Sequence, residues 1–140
     1  MKKAVPYVIV FLLLAQSVKA QTTLEVSIKN IKEPKGTIRV GLFNNEKDFL
    51  KKPVDGKVVD VTSHSVAVMF ENLQPGDYAI SVIHDKNSNG DLDTNIMGIP
   101  KEGFGFGNDS MGLFGPPSFD KAKVTVKEGL VKAEITLKYF

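Results

Sequence analysis

The sequence contains no cysteine and no tryptophan, and it has only two histidines, His64 and His84. Without cysteine the chain has no disulfide bond, no thiol nucleophile and no site for lipid attachment through a cysteine. His-Glu-x-x-His and Gly-x-Ser-x-Gly motifs are also missing, so two common patterns of hydrolytic enzymes are excluded. A chain of this length can bury an adequate apolar core without disulfide or zinc cross-links.

The first twenty residues are typical of a secretory signal peptide. A basic start, Met1-Lys2-Lys3, precedes an apolar run from Val8 to Ala15. The small residues Val18 and Ala20 then stand at positions −3 and −1 of a cleavage site. This run is too short to span a bilayer, and no second candidate follows it. We therefore predict cleavage after Ala20, a single domain over residues 21–140, and a periplasmic or secreted protein that does not span the membrane.

The chain also lacks an excess of positive charge once this segment is set aside. Of the 18 Lys and Arg residues, three lie in residues 1–20, so 15 remain against 16 acidic residues and the net charge becomes −1 instead of +2. No basic stripe interleaved with aromatic residues remains. We therefore expect no nucleic-acid partner.

Short runs of alternating apolar and polar residues predict β-strands along most of the chain. They lie around Leu24–Ile28, Ile38–Leu42, Val66–Phe70, Tyr78–Val82, Lys123–Val126 and Val131–Tyr139. Turn sequences between neighbouring runs, such as Pro34-Lys35-Gly36 and Pro75-Gly76, predict hairpins. The pattern indicates an all-β, antiparallel β-sandwich of the prealbumin or immunoglobulin type, with six to seven strands and one long ordered loop.

The most informative motif begins at the end of the run from Tyr78. From Asp85 onward, oxygen-bearing side chains occupy every second position, and a glycine takes the sixth place: Asp85, Asn87, Asn89, Gly90, Asp91 and Asp93. This is the first part of a calcium-binding loop of the EF-hand type, in which alternate oxygens point inward at the cation. Asp91 would contribute its backbone carbonyl, and Asp93 a direct or water-bridged contact. We expect a structural Ca²⁺ here.

The match to that loop ends before its last ligand. The twelfth place, where a bidentate Glu is required, is Ile96, and no flanking helices are predicted. Glu102 and Asp109 are the candidates for the missing ligand, although both carboxylates could equally be solvated surface charges. The alternative for the whole motif is a metal-free turn, because Asp, Asn, Ser and Gly also favour turns.

Nearly forty residues between Ile83 and Lys123 show no clear periodicity and are rich in apolar residues, so we expect them to be ordered. Gly103-Phe104-Gly105-Phe106-Gly107 lacks the strand, helix and lysine of a phosphate-binding loop. His84, Phe104, Phe106 and Phe114 form a possible ligand surface, and packing of the rings into the core is the alternative.

Several of these segments occur together in a known family. They are the stretches Gly36–Phe43, Phe70–Ile80, His84–Asp93, Gly98–Phe106 and Pro116–Ala122. In this order they resemble the small exported bacterial proteins catalogued as domain of unknown function 2141. The stretch from Phe70 to Ile80 is also similar to a hairpin of prealbumin-like and carboxypeptidase-regulatory-like sandwich modules. The resemblance implies export and a sandwich fold, and it implies no particular activity.

Two functions remain open from the sequence. The first is a non-catalytic binding or accessory module of the cell envelope, whose partner is an envelope protein or a glycan. The second is a small periplasmic hydrolase-like enzyme that uses loop carboxylates and His84. His84 and Asp85 are neighbours on a strand and therefore point to opposite faces, which disfavours a direct acid–base pair.

Overall fold

A computed structural model describes residues 2–3, 17 and 21–140 of the chain. The predicted signal peptide lies almost entirely outside the described residues. Every strand and every core residue described below falls between Thr22 and Tyr139.

The described part of the chain contains eight β-strands and very little helix. The strands are β1 (Thr22–Lys29), β2 (Thr37–Phe43), β3 (Asp55–Asp60), β4 (Val66–Phe70), β5 (Gly76–Asp85), β6 (Phe104–Phe106), β7 (Lys123–Val126) and β8 (Gly129–Thr136). A 3₁₀ turn (Gly107–Asp109) and the four-residue helix α1 (Phe119–Ala122) lie between β6 and β7. Within the described residues, no helix has the length and apolar character needed to cross a membrane.

The strands form two sheets that pack face to face. Sheet A has the order β4-β1-β8, and sheet B has the order β3-β2-β5-β6, with β7 also paired to β5. The all-β sandwich is therefore confirmed. Two details differ from the prediction: there are eight strands instead of six or seven, and β1 pairs with β8 in parallel, so that sheet A is mixed.

The core lies between the two sheets because each strand turns alternate apolar side chains inward. Leu24, Val26 and Ile28 of β1 are fully buried and face the inward residues of β2 and β5. His84 continues the inward series of Tyr78, Ile80 and Val82 on β5, as the alternation predicts. The last inward position of β5 is therefore a buried imidazole.

The predicted hairpins are wrong, because most chain reversals connect the two sheets. β1 and β2 lie in different sheets, as do β4 and β5, and β7 and β8. Among the described strands, β2 with β3 and β5 with β6 are consecutive antiparallel pairs, and residues 44–54 and 86–103 connect them. The similarity to prealbumin-like modules, which was based on a β4–β5 hairpin, is not confirmed.

The long segment after β5 is ordered by pairing and by aromatic packing. β6 and β7 pair with different halves of β5, so residues 107–122 form an insertion along one edge of sheet B. On the outer face of that sheet, Phe43 and Ala79 pack with Ala122, and the rings of Phe49 and Phe119 join them. This second apolar cluster covers part of the sheet and fixes the insertion.

Candidate site in the loop between β5 and β6

Asp85, the last residue of β5, is fully buried and organises the loop that follows it. Its Oδ1 accepts a hydrogen bond from the backbone amide of Asn89 at 3.1 Å, and its Oδ2 accepts one from Gly90 at 2.8 Å. Gly90 has φ +87°, the left-handed conformation expected for the sixth position of the motif. The loop therefore wraps around the Asp85 carboxylate.

The chain before β2 passes close to the backbone of Asp85 and Lys86. A Cβ atom at Gly36 would lie 2.3 Å from the Asp85 carbonyl oxygen, so only glycine allows the two backbones to approach this closely. Gly36 also has φ +73°. The nearest cation is Arg39 of β2, whose Nη1 lies 3.9 Å from Asp85 Oδ2 while its side chain is 41% exposed. Arg39 is the only arginine in the chain, and the sequence analysis did not single it out.

The two asparagine side chains of the motif converge on Asp93. Asn87 Nδ2 donates to Asp93 Oδ2 at 2.7 Å, and Asn89 Nδ2 donates to both carboxylate oxygens at 2.9 and 3.1 Å. The hydrogen bonds from Asn89, and then those from Asn87, lower the pKa of Asp93. Asp91 is exposed and donates its backbone amide to Asn89 Oδ1 at 3.0 Å.

Glu102 lies against this loop, and Asp109 does not. Glu102 is only 5% exposed, and its Oε1 accepts from the Lys86 amide at 3.1 Å while its Oε2 accepts from the Asp93 amide at 3.2 Å. The antiparallel register that pairs Ile83 with Phe104 places Glu102 level with Asp85. Asp109 instead accepts from the Thr136 amide at 2.8 Å, on β8.

The arrangement brings oxygen-bearing side chains together but does not form a cage of several carboxylates. Among residues 21–140, no three Asp, Glu or His side chains are grouped as metal ligands. The loop is closed by amide-to-carboxylate hydrogen bonds, and Asn87 Oδ1 and Asn89 Oδ1 each accept from a backbone amide two residues ahead. An oxygen that accepts one hydrogen bond retains a second lone pair. The six predicted ligands therefore combine the hard oxygen donors that Ca²⁺ prefers.

His84 is held inside the fold by both ring nitrogens. Nε2 lies 2.8 Å from the Lys35 carbonyl oxygen, and Nδ1 lies 3.0 Å from the Tyr139 hydroxyl, which also accepts from the Lys32 amide at 3.1 Å. Because a carbonyl oxygen only accepts, Nε2 donates the hydrogen bond to Lys35. Burial raises the pKa of Tyr139, which keeps its hydroxyl protonated. The geometry gives His84 a structural role.

A small cavity separates His84 from Glu102. It measures about 50 Å³ and is bordered by Tyr139 and by lysines 32, 86 and 101. Such a space holds only a few waters and is too small for a sugar ring.

The four residues expected to form a ligand surface occupy different environments. His84 and Phe104 are buried, which contradicts a surface position for both. His84 occupies an inward position of β5, and Phe104 is brought into the fold by the pairing of β6 with β5. Phe106 is half-buried against the outer cluster. Phe114 is almost fully exposed. The four side chains therefore do not form one common surface.

The fold and the loop define the class of this protein: it is an all-β sandwich with an acidic loop at the end of β5, a central strand of sheet B. Residues 26–134 match a family described as "Uncharacterized protein conserved in bacteria (DUF2141)", and the chain belongs to this family. No curated protein matches the chain. No solved structure matches it either.

Proposed function

We propose that this chain is an exported, non-catalytic binding module of the bacterial cell envelope, in which a structural Ca²⁺ orders the loop from Asp85 to Asp93. The partner we propose is an envelope protein or a glycan. The observation that carries the proposal is the position of Glu102. This carboxylate lies two residues before β6. It accepts from the amides of Lys86 and Asp93 near the two ends of the loop, where the motif itself lacks its last ligand.

The charge balance of the loop supports a cation. Asp85 and Glu102 are buried carboxylates, and the guanidinium of Arg39 stands at 3.9 Å from one of them. Burying a charge is costly unless an opposite charge or several hydrogen bonds compensate it. Ca²⁺ bound by side-chain oxygens of Asp85, Asn87, Asn89, Asp93 and Glu102, and by the Asp91 carbonyl, would add that compensation.

The environment of His84 supports a non-catalytic role. Both of its ring nitrogens are occupied by hydrogen bonds within the fold, and the adjoining cavity admits only small molecules such as water. A general acid or base must reach the substrate proton directly or through one water. This arrangement therefore does not favour the hydrolase alternative.

Thermal unfolding of residues 21–140 in EDTA and in a few millimolar CaCl₂ tests the calcium proposal. A site of the weak extracellular class, with Kd of order 10⁻⁴ M, adds roughly 2 kcal/mol to the free energy of unfolding at that concentration. For a domain of this size the melting temperature rises by about 5–10 °C.

Three variants test whether the calcium-dependent rise in melting temperature arises at this loop. Asp85→Ala and Glu102→Gln should lose the calcium-dependent rise in melting temperature. Asp109→Asn is the matched control, because its carboxylate binds the Thr136 amide away from the loop and its calcium response should match that of the wild type. An unchanged wild-type melting temperature in calcium would contradict the proposal and leave a metal-free turn.

A further inference from the structure

Two tight turns in the segment between β5 and β7 carry adjacent large apolar residues at their tips. Ile96 and Met97 form the centre of one turn, and Leu113 and Phe114 form the centre of the other. These four side chains are the most exposed large apolar residues of the described chain, from 79% for Met97 to 105% for Ile96. Single exposed apolar residues are common on protein surfaces, but adjacent pairs at two turn tips are not explained by packing.

The first tip belongs to a small hairpin that the acidic loop supports. Thr94 bridges to Pro100, and the Lys101 amide donates to the Asp93 carbonyl oxygen at 2.7 Å. Asp93 and Glu102, which close the acidic loop, thus stand at the base of this hairpin. The tip is therefore held at a defined position relative to the sandwich.

Four of the five backbone amides from Asn95 to Ile99 donate hydrogen bonds within this first tip. Asn95 Oδ1 accepts from the amides of Met97 and Ile99 at 2.9 and 3.1 Å, and the Asn95 carbonyl accepts from Gly98 at 3.0 Å. At the second tip, the Gly112 amide donates to the Gly115 carbonyl at 2.9 Å. Amides that are already paired can enter an apolar medium without the cost of unpaired donors.

The shape of the two tips favours a lipid surface over a protein groove. A stable protein interface buries about 800 Å² on each partner with close shape complementarity, whereas each tip here offers two adjacent side chains on a narrow turn. A bilayer accepts separate apolar projections of this kind without a matching shape. The isoleucine, methionine, leucine and phenylalanine side chains carry no charge, so the attraction does not depend on anionic headgroups.

We propose that the tips at Ile96-Met97 and Leu113-Phe114 insert into the interface of a phospholipid bilayer and hold the domain at a membrane surface. The inference rests on the proposed role as an exported binding module, and it does not require calcium. The binding partner of these two turns is then a lipid surface.

Co-sedimentation of residues 21–140 with phosphatidylcholine vesicles, and with vesicles that also contain phosphatidylglycerol, tests this inference. Binding is expected to both vesicle types and to persist at high salt, because apolar contacts are not screened. The pair Ile96→Ser and Met97→Ser should lower the partition coefficient by about tenfold or more, and so should the pair Leu113→Ser and Phe114→Ser. The matched control is the pair Val58→Ser and Leu130→Ser, two strand residues that are each 54% exposed, and it should bind like the wild type.

A spectroscopic readout follows the tip itself. Since the chain has no tryptophan, Met97→Trp introduces a single reporter whose emission should shift to shorter wavelength with vesicles and be quenched by brominated acyl chains. Val58→Trp should show neither change. Absence of vesicle binding, or binding that the serine pairs leave unchanged, would overturn the inference. Self-association of the lipid-free chain that the same serine pairs abolish would also overturn it, by assigning the tips to a second copy.

The calcium measurement separates the two proposals. A calcium-dependent rise in melting temperature without vesicle binding overturns the membrane inference and retains the calcium-ordered loop. Vesicle binding that is equal in EDTA and in calcium, with no change in melting temperature, supports the membrane inference and overturns the calcium proposal.

Discussion

Glu102 and Asp93 are joined by a hydrogen bond from the Asp93 amide to Glu102 Oε2 at 3.2 Å. Because Glu102 also accepts from the Lys86 amide, one side chain fastens both ends of the acidic loop to the segment that leads into β6. The loop is therefore attached to the edge of sheet B. Its stability should depend on Glu102 more than on the exposed members of the motif.

Replacing Glu102 by Gln should destabilise the domain by about 1–3 kcal/mol without calcium. The amide keeps one acceptor oxygen but directs an NH₂ group at a backbone donor, so a buried amide loses its partner. Urea unfolding of residues 21–140 measures the change. Glu128→Gln, in the turn between β7 and β8 at the opposite end of sheet B, should change stability by less than about 0.5 kcal/mol. Equal effects of the two changes would contradict the role given to Glu102.

Replacing Arg39 by Met should destabilise the calcium-free domain by about 0.5–1 kcal/mol, since the guanidinium is partly exposed and stands 3.9 Å from Asp85. In calcium the difference in the free energy of unfolding between Arg39→Met and the wild type should shrink, because the bound metal then balances the charge of the Asp85 carboxylate. Thermal melts in EDTA and in calcium measure both values. Arg39→Lys should retain most of the stability, and Lys132→Met, an exposed change on β8, should show no calcium-dependent difference. If the difference in melting temperature between Arg39→Met and the wild type is the same in EDTA and in calcium, Arg39 does not act on the proposed metal site.

Acid should weaken the loop through Asp93. The hydrogen bonds from Asn89 and Asn87 lower the pKa of Asp93 below its ordinary value of 3.8. A carboxyl group with a lowered pKa in the folded state contributes stability above the unfolded pKa, and this contribution is lost as the pH falls through the folded value. The difference in melting temperature between the wild type and Asp93→Asn should therefore be constant above about pH 3.8 and should shrink as the pH falls below that value. Glu128→Gln serves as the control, and an Asp93→Asn difference that is independent of pH would contradict the assignment.

Replacing Gly107 by Ala should destabilise the insertion by about 1–3 kcal/mol. The added Cβ would lie 2.0 Å from the Ala122 carbonyl oxygen, and a backbone atom cannot move aside cheaply. Gly115→Ala is the matched control, because a Cβ there meets nothing within 4 Å. Urea unfolding of both variants tests the prediction. A Gly107→Ala variant as stable as Gly115→Ala would show that the insertion is not packed as described.

The strands could be predicted from the sequence because half-buried strands alternate with period two. Tyr78, Ile80, Val82 and His84 lie on the inner face as that pattern requires. Their partners could not be predicted, since a turn such as Pro75-Gly76 shows that the chain reverses but not which sheet it enters. β3 was missed because it is an edge strand with most residues exposed, and β6 because it has only three residues with a central glycine.

The site could be predicted only in part, because local spacing can be read from a sequence and strand pairing cannot. The spacing from Asp85 to Asp93 is local and could be read from the sequence, and the loop forms around Asp85. The choice between Glu102 and Asp109 depends on the register of β6 against β5, which no local pattern specifies. The position of Arg39 beside Asp85 depends on the pairing of β2 with β5, and the burial of Phe104 depends on the pairing of β6 with β5.

The parallel pairing of β1 with β8 also determines when the protein can fold. β1 is the central strand of sheet A, and one of its two neighbours is β8, the last of the eight described strands. Contacts between distant parts of a chain form slowly, because the entropy of closing a long loop is lost before they form. A chain emerging from a ribosome cannot complete sheet A until β8 is free. Folding of this domain therefore cannot be completed before β8 has been synthesised, and a chain truncated before β8 should remain incompletely folded.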